Sequence, residues 1–196
     1  MATTRKIGII GDGNVGSALG HGLRRAGHEV RAVGKDKTAV REMAGWAEIV
    51  VLAVPFGAID QVVKEAGDAL AGKTLVDVTN PLNPDMSLAV GFTTSGAEEL
   101  QRKVPDAKVV KAFNTVFAQH MNTGRLWNQS LTAFVAGDDS SAKASVLELA
   151  REIGFDAVDA GPLKNARLLE PLAHLNIQLG YVLKLGTQIG FKFLRS

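Results

Sequence analysis

Lys6-Ile7-Gly8-Ile9-Ile10 runs directly into Gly11-Asp12-Gly13-Asn14-Val15-Gly16, and no other stretch of the chain restricts its fold as strongly. Gly11, Gly13 and Gly16 have the spacing G-x-G-x-x-G, set between a short apolar strand and the start of a helix. The first glycine permits the tight turn, the second lets backbone approach a pyrophosphate, and the third lets helix and strand pack closely. The N–H groups of the helix start face the phosphates, and the helix dipole favours their negative charge. The helix reads over residues 14–26, with Arg24 and Arg25 near its end and Gly27 as its stop. The strand-like run Glu29–Val33 follows and completes a βαβ unit.

The next turn, Gly34-Lys35-Asp36-Lys37, is where such a unit distinguishes its ligands. An acidic side chain there takes the ribose 2′-hydroxyl of NAD, whereas basic side chains receive the 2′-phosphate of NADP. Asp36 fits the first role, and Lys35 and Lys37 fit the second. Residues 37–46 hold one short helix before the apolar strand at residues 48–54. An ordinary halving of this fold would place a further strand and helix there, so this part of the domain is trimmed. Pro55-Phe56-Gly57 ends that strand, and a helix reads over residues 58–70.

A strand at residues 74–78 leads to Thr79-Asn80-Pro81-Leu82-Asn83-Pro84, whose prolines forbid a helix and hold Asn80 at a strand's carboxyl end. Ligands of open α/β sheets bind at such ends. Residues 86–95 read as loop, 97–103 as a helix and 108–113 as a strand followed by Asn114-Thr115. Further strands read at 131–136 and 155–158, flanking a helix capped by Ser140 or Ser141 that runs to Glu152. From about Asn165 the chain reads as mostly helical, with an apolar stripe through Leu168, Leu169, Leu172, Leu175, Ile177, Leu179, Val182, Leu183 and Leu185 that suits a core or a subunit interface.

The composition excludes several classes of function. With no cysteine, disulfides, thiolate nucleophiles and cysteine-ligated metals are ruled out. A net charge of +2 gives no electrostatic case for nucleic acid or a membrane surface. No apolar run is long enough to span a bilayer, no leader segment is visible, and a cytoplasmic protein is expected. No Ser stands in G-x-S-x-G and no His/Asp/Glu group has metal-ligand spacing, so neither hydrolase chemistry nor a bound metal is expected. His120 follows the residue 112–114 edge and is within reach of a substrate there, although a helix-end histidine is the commoner role. His174 reads as a packed or interface residue, and Glu170, just before Pro171, as a capping or pairing one.

Taken together, the separated motifs resemble the deazaflavin-dependent NADP oxidoreductase family, also seen in the reductase domain of the six-transmembrane metalloreductases. They are the glycine loop, Ala53-Val54-Pro55-Phe56, the Val76 to Pro81 edge, the Val109 to Asn114 edge, the Gly154 to Glu170 region and the tail at residues 189–194. The resemblance spans nearly the whole chain. It implies one domain over residues 1–196, an α/β, Rossmann-type doubly wound and mostly parallel sheet. That sheet has a shortened segment after the second strand and a C-terminal helical appendix over about residues 164–196. It also implies an NADP(H) cofactor and a hydride passed to a deazaflavin or flavin, while the C-terminal apolar stripe, beside a trimmed sheet that leaves apolar surface to cover, points to a homodimer. Cofactor contacts would fall on Gly11, Asp12, Gly13, Asn14, Val15, Gly34, Lys35, Ala53, Val54, Pro55, Phe56, Asn80, Ala112, Phe113 and Asn114. Where the family usually has Ser-Arg, this chain has Lys35-Asp36, with Lys35 supplying the cation. A dinucleotide sensor without turnover is the alternative, and a nicotinamide face plugged by Phe56 or Phe113 would favour it.

Overall fold

The computed structural model describes residues 3–34 and 36–195. The order is β1 (Lys6–Ile10), α1 (Asn14–Arg25), β2 (Glu29–Val33), α2 (Lys37–Trp46), β3 (Ile49–Leu52), α3 (Ile59–Ala66), β4 (Thr74–Asp77), α4 (Gly96–Lys103) and β5 (Lys108–Lys111). Then come α5 (Ala118–Met121), a small hairpin of β6 (Arg125–Leu126) and β7 (Gln129–Ser130), β8 (Thr132–Gly137), α6 (Ser140–Ile153), β9 (Asp156–Asp159) and α7 (Ala166–Ile177). Seven strands form one sheet in the order β2-β1-β3-β4-β5-β8-β9. All neighbours are parallel except β5 and β8. Apolar cores lie on its two faces, which is why β3 is buried at every position.

The trimmed segment decides the topology. β2 is the sheet edge, and α2 carries the chain straight back across β1 to β3. The chain therefore reverses direction between β1 and β3, and the crevice outside that reversal is the place where such sheets bind ligands. Helix α1 ends at Arg25, and α3 ends at Ala66 where Gly67 turns to φ +56°. Asp139, not a serine, caps α6: its carboxylate accepts from the Ala142 N–H at 2.8 Å. A carboxylate at an N-cap also complements the helix dipole.

The C-terminal helix is shorter than its apolar stripe. After α7 a wider turn, Gln178–Val182, closes with Leu183, Leu185 and Gly186 N–H groups bonding back to Gln178, Leu179 and Gly180 carbonyls. Lys184 (φ +58°) and Gly186 (φ +77°) then take left-handed conformations that end the helix. The remaining tail returns to β8, where the Phe191 carbonyl accepts from the Thr132 N–H and Phe193 meets Phe134 edge-on.

Candidate functional site

Because β1 to β5 are parallel, their carboxyl ends gather the glycine loop, Gly34, Ala53 to Phe56, Thr79-Asn80 and residues 112–114 along one sheet edge. At that edge a cavity of about 440 Å³ is lined by Gly11, Asp12, Gly13, Gly34, Ala53, Val54 and Pro55, with Gln61 and Glu65 of α3. A second, of about 330 Å³, is lined by Gly13, Asn14, Val15, Ala53 to Phe56, Val78, Thr79 and Asn80. They share Gly13, Ala53, Val54 and Pro55 and so adjoin as two parts of one cleft along the sheet edge.

The loop geometry explains each glycine. Gly11 sits at φ +112° with its N–H bonded to Val33, and a Cβ there would lie 2.2 Å from the Ala53 carbonyl oxygen. A Cβ at Gly16 would lie 2.0 Å from the Gly11 carbonyl oxygen. Gly13 differs: nothing stands within 4 Å of its Cβ direction, so it faces open cleft. Helices α2, α4 and α6 begin with side-chain caps from Asp36, Ser95 and Asp139. Helix α1 begins at Gly13 with no side-chain cap and no acidic residue in its first turn. Its first N–H groups are thus left for an anion.

The other predicted residues divide. Asn80 lines the smaller cavity; its Nδ2 donates to the Asn114 main-chain carbonyl and its Oδ1 accepts from Asn114 Nδ2, each at 3.1 Å. Asn114 stands behind it, buried, and its Nδ2 also donates to the Leu169 carbonyl. Ala112 and Phe113 do not line the cleft: both are buried. Phe113 adopts φ +63°, an uncommon conformation for a bulky residue, which turns its ring into the core 5.6 Å from that of Phe155. Phe56 is half-buried, packs against Gly96 and lines the smaller cavity, whereas Phe113 stays in the core. Lys35 lies outside the described residues. Asp36 spends one carboxylate oxygen on the Thr38 and Ala39 N–H groups as the α2 cap.

The histidines lie away from the cleft lining. His120 is buried with Nε2 at 2.9 Å from the Thr187 carbonyl, and His174 Nε2 lies 2.9 Å from the Met86 carbonyl. His21 borders a further depression of about 410 Å³, lined by α1 and α5 residues together with Tyr181, that reaches the cleft residue Asn14.

Beneath the Thr79-Asn80 edge lies a group that the motifs did not expose. Lys111, Asp77 and Glu170 are all fully buried. Lys111 Nζ donates to Asp77 Oδ2 at 2.9 Å, to the Thr79 carbonyl at 2.6 Å, and pairs with Glu170 Oε1 at 2.8 Å. Glu170 also accepts from the Gly96 and Ala97 N–H groups at the start of α4, and Asp77 from the Thr79 N–H. Every ammonium donor has an acceptor, and each carboxylate faces donors only. Burial opposes the lysine charge, and the two carboxylates overcome it and hold its pKa above the ordinary lysine value. A visible trace exists in the sequence: charges of opposite sign interrupt two apolar runs, Leu75-Val76-Asp77-Val78 and Val109-Val110-Lys111-Ala112. Nearby, the Arg167 guanidinium holds the Glu98 carboxyl below its ordinary pKa and ties α7 to α4.

Comparison with known proteins identifies this arrangement. The family model described as "NADP oxidoreductase coenzyme F420-dependent" matches residues 6–45 and 37–81. An F420-dependent NADP reductase of Methanocaldococcus jannaschii is 31% identical over 165 residues, spanning 80% of this chain and 71% of that protein. The chain belongs to the coenzyme F420-dependent NADP oxidoreductase family. Among solved structures, a candidate F420-dependent NADP reductase from Arthrobacter sp. FB24 superposes on this family member with a TM-score of 0.89. It shares 32% identity, over 97% of this chain and 100% of that one. The rat metalloreductase STEAP3 is 33% identical over 181 residues, but the chain spans only 36% of that protein's length. Among the described residues, no helix of this family member is long and apolar enough to cross a membrane.

Proposed function

We propose that this chain is a cytoplasmic oxidoreductase that binds NADP(H) along the cleft and passes a hydride between nicotinamide and a deazaflavin or flavin ring. The observation that carries the reading is the uncapped start of α1 at the β1–β3 reversal, opening onto one continuous cleft. In this reading the pyrophosphate lies on Gly11 to Val15. The adenosine half runs past Gly34, and the nicotinamide lies toward Ala53 to Phe56 and Asn80. Bound NADPH supplies the hydride from its ring C4. The acceptor takes that hydride and one proton, and NADP⁺ remains. The protein's part is to orient two rings and exclude water, which needs no catalytic acid or base.

Anaerobic oxidation of NADPH and NADH against deazaflavin, FMN, FAD, a ferric chelate and a quinone tests this. Turnover is expected with the deazaflavin or a flavin, faster with NADPH. Tight NADPH binding with no turnover on any acceptor would replace the reductase with the sensor. Lys35 is proposed as the 2′-phosphate ligand. Lys35→Ala should weaken NADPH by about tenfold, the scale of one charge-assisted contact, and leave NADH nearly unchanged. Equal weakening of both would remove Lys35 from that role.

The proposed state is a homodimer. Leu168, Leu172, Leu175, Leu179 and Val182 recur at alternating intervals of four and three, the spacing of a helix-pairing seam. Leu168, Leu175 and Val182 are 67%, 50% and 54% exposed, and the only charged side chain on α7 between Leu168 and Ile177 is the buried Glu170. Light scattering should give a dimer for the wild type and a monomer for Leu175→Glu. A monomeric wild type would remove the proposal.

A further inference from the structure

We propose that the Thr79 hydroxyl is the contact that anchors the carboxamide of the bound nicotinamide, and that Lys111 and Asp77 are positioning residues that hold it there. The inference rests on the dinucleotide reading of the cleft. Thr79 lines the smaller cavity at the Asn80 end, and only 5% of the residue is exposed. Its backbone is committed on both sides, with its N–H donating to Asp77 Oδ1 at 2.9 Å and its carbonyl accepting from Lys111 Nζ at 2.6 Å. Its hydroxyl, by contrast, has no partner among the described residues.

A buried hydroxyl without a partner is destabilising and calls for a completing group; at the cavity wall a ligand can supply it, whereas the likewise unpartnered Asn114 Oδ1 stands behind the cleft. Here two charged groups, themselves fully buried, fix the peptide that carries it. That arrangement spends stability to hold one small polar group at one position, which suits recognition and does nothing for packing. The ligand class follows from the place and the chemistry. A hydroxyl donates and accepts, a carboxamide offers both an acceptor and a donor, and the neighbouring Asn80 amide is already paired with Asn114. Anchoring the carboxamide fixes which face of the ring meets the acceptor.

The test pairs Thr79→Val with Thr79→Ser and reads three quantities: the melting temperature of the ligand-free protein, and affinity for NADP⁺ and for its analogue lacking the nicotinamide ring. Valine keeps the shape and removes the hydroxyl. The ligand-free Thr79→Val protein should melt at the wild-type temperature or higher, since an unpaired polar group is gone. It should bind NADP⁺ about tenfold more weakly, the scale of one lost hydrogen bond, and bind the ring-less analogue as the wild type does. Thr79→Ser should restore NADP⁺ affinity. A purely structural hydroxyl would give the opposite pattern, a lower melting temperature and equal loss of both ligands, and would overturn the proposal. So would unchanged NADP⁺ affinity in Thr79→Val. If the wild type binds neither ligand, the reading of the cleft itself has failed.

Discussion

Gly13→Val will abolish NADP(H) binding while leaving the fold intact. Gly13 has φ −71° and ψ −172°, a conformation open to any residue, so valine brings no backbone strain. No atom stands within 4 Å of the Cβ it would add. The added branches therefore enter only the cleft, at the residue shared by its two halves. In the proposed complex that space belongs to the pyrophosphate, and the first N–H groups of α1 lose their access to it. Removing that set of charge-assisted bonds should weaken NADPH at least a hundredfold, about 3 kcal/mol or more. The melting temperature should fall by no more than about 4 °C, the scale of replacing a helix N-cap glycine with a poorer cap. Gly11→Ala and Gly16→Val supply the contrast. Their Cβ atoms would meet backbone at 2.2 and 2.0 Å, so both should lose stability before binding is even at issue. Fluorescence titration with NADPH beside thermal melts checks all three, and a folded Gly13→Val protein with unchanged affinity would remove the cleft from the mechanism.

The glycine spacing marks the loop and the helix start that follows it, the kind of feature that sequence makes legible. The loop, the first βαβ unit and the missing strand after β2 are set by local signals: glycine spacing, an apolar run, and too few residues between two strands for another pair. The fold class followed from these. Features set by tertiary partners were less visible. Phe113 sits in an apolar edge motif, yet its positive φ, and hence its burial behind the cleft, depends on a core pocket beside Phe155. The end of the last helix depends on turns at Lys184 and Gly186 that an apolar stripe does not announce. Asp139 takes the α6 cap from the adjacent serines because an ionised carboxylate accepts more strongly than a hydroxyl. Thr79 was visible as part of a motif, but its significance lies in an unmade bond. Asp77 and Lys111 stand opposite one another in the β4–β5 register, a pairing that strand order alone reveals. Read one strand at a time, each was an ordinary charged residue. Read across the sheet, they are a buried pair under the proposed nicotinamide.

That pair carries the second large effect. Lys111→Met removes the cation that pairs with both buried carboxylates. Methionine fills much of the space of the lysine stem, so the loss is electrostatic before it is steric. Breaking a buried ion pair from one side costs about 3–5 kcal/mol, a large share of the roughly 5–15 kcal/mol that holds a domain together. For a chain of this size the melting temperature should fall on the order of 10 °C. The sign of the pH dependence separates this cause from a packing defect. In the wild type the folded pKa of Lys111 is raised, so its contribution is complete below the unfolded lysine value of about 10.4 and is lost only as pH rises through the folded one; between pH 5 and 7 it adds no slope. In Lys111→Met the two carboxylates keep their burial and lose their cation, and burial disfavours the charged form of a group left without its counter-ion. The native state then binds more protons than the unfolded one, and stability rises as pH falls from 7 toward 5. Lys111→Met/Glu170→Gln leaves one unpaired carboxylate in place of two and should recover part of the loss. Glu170→Gln alone keeps the Lys111–Asp77 pair and should stay folded. Thermal melts of the three variants at pH 5 and pH 7 decide the matter. A Lys111→Met deficit that is the same at both pH values would assign Lys111 to packing, and the electrostatic clamp beneath Thr79 would have to be abandoned.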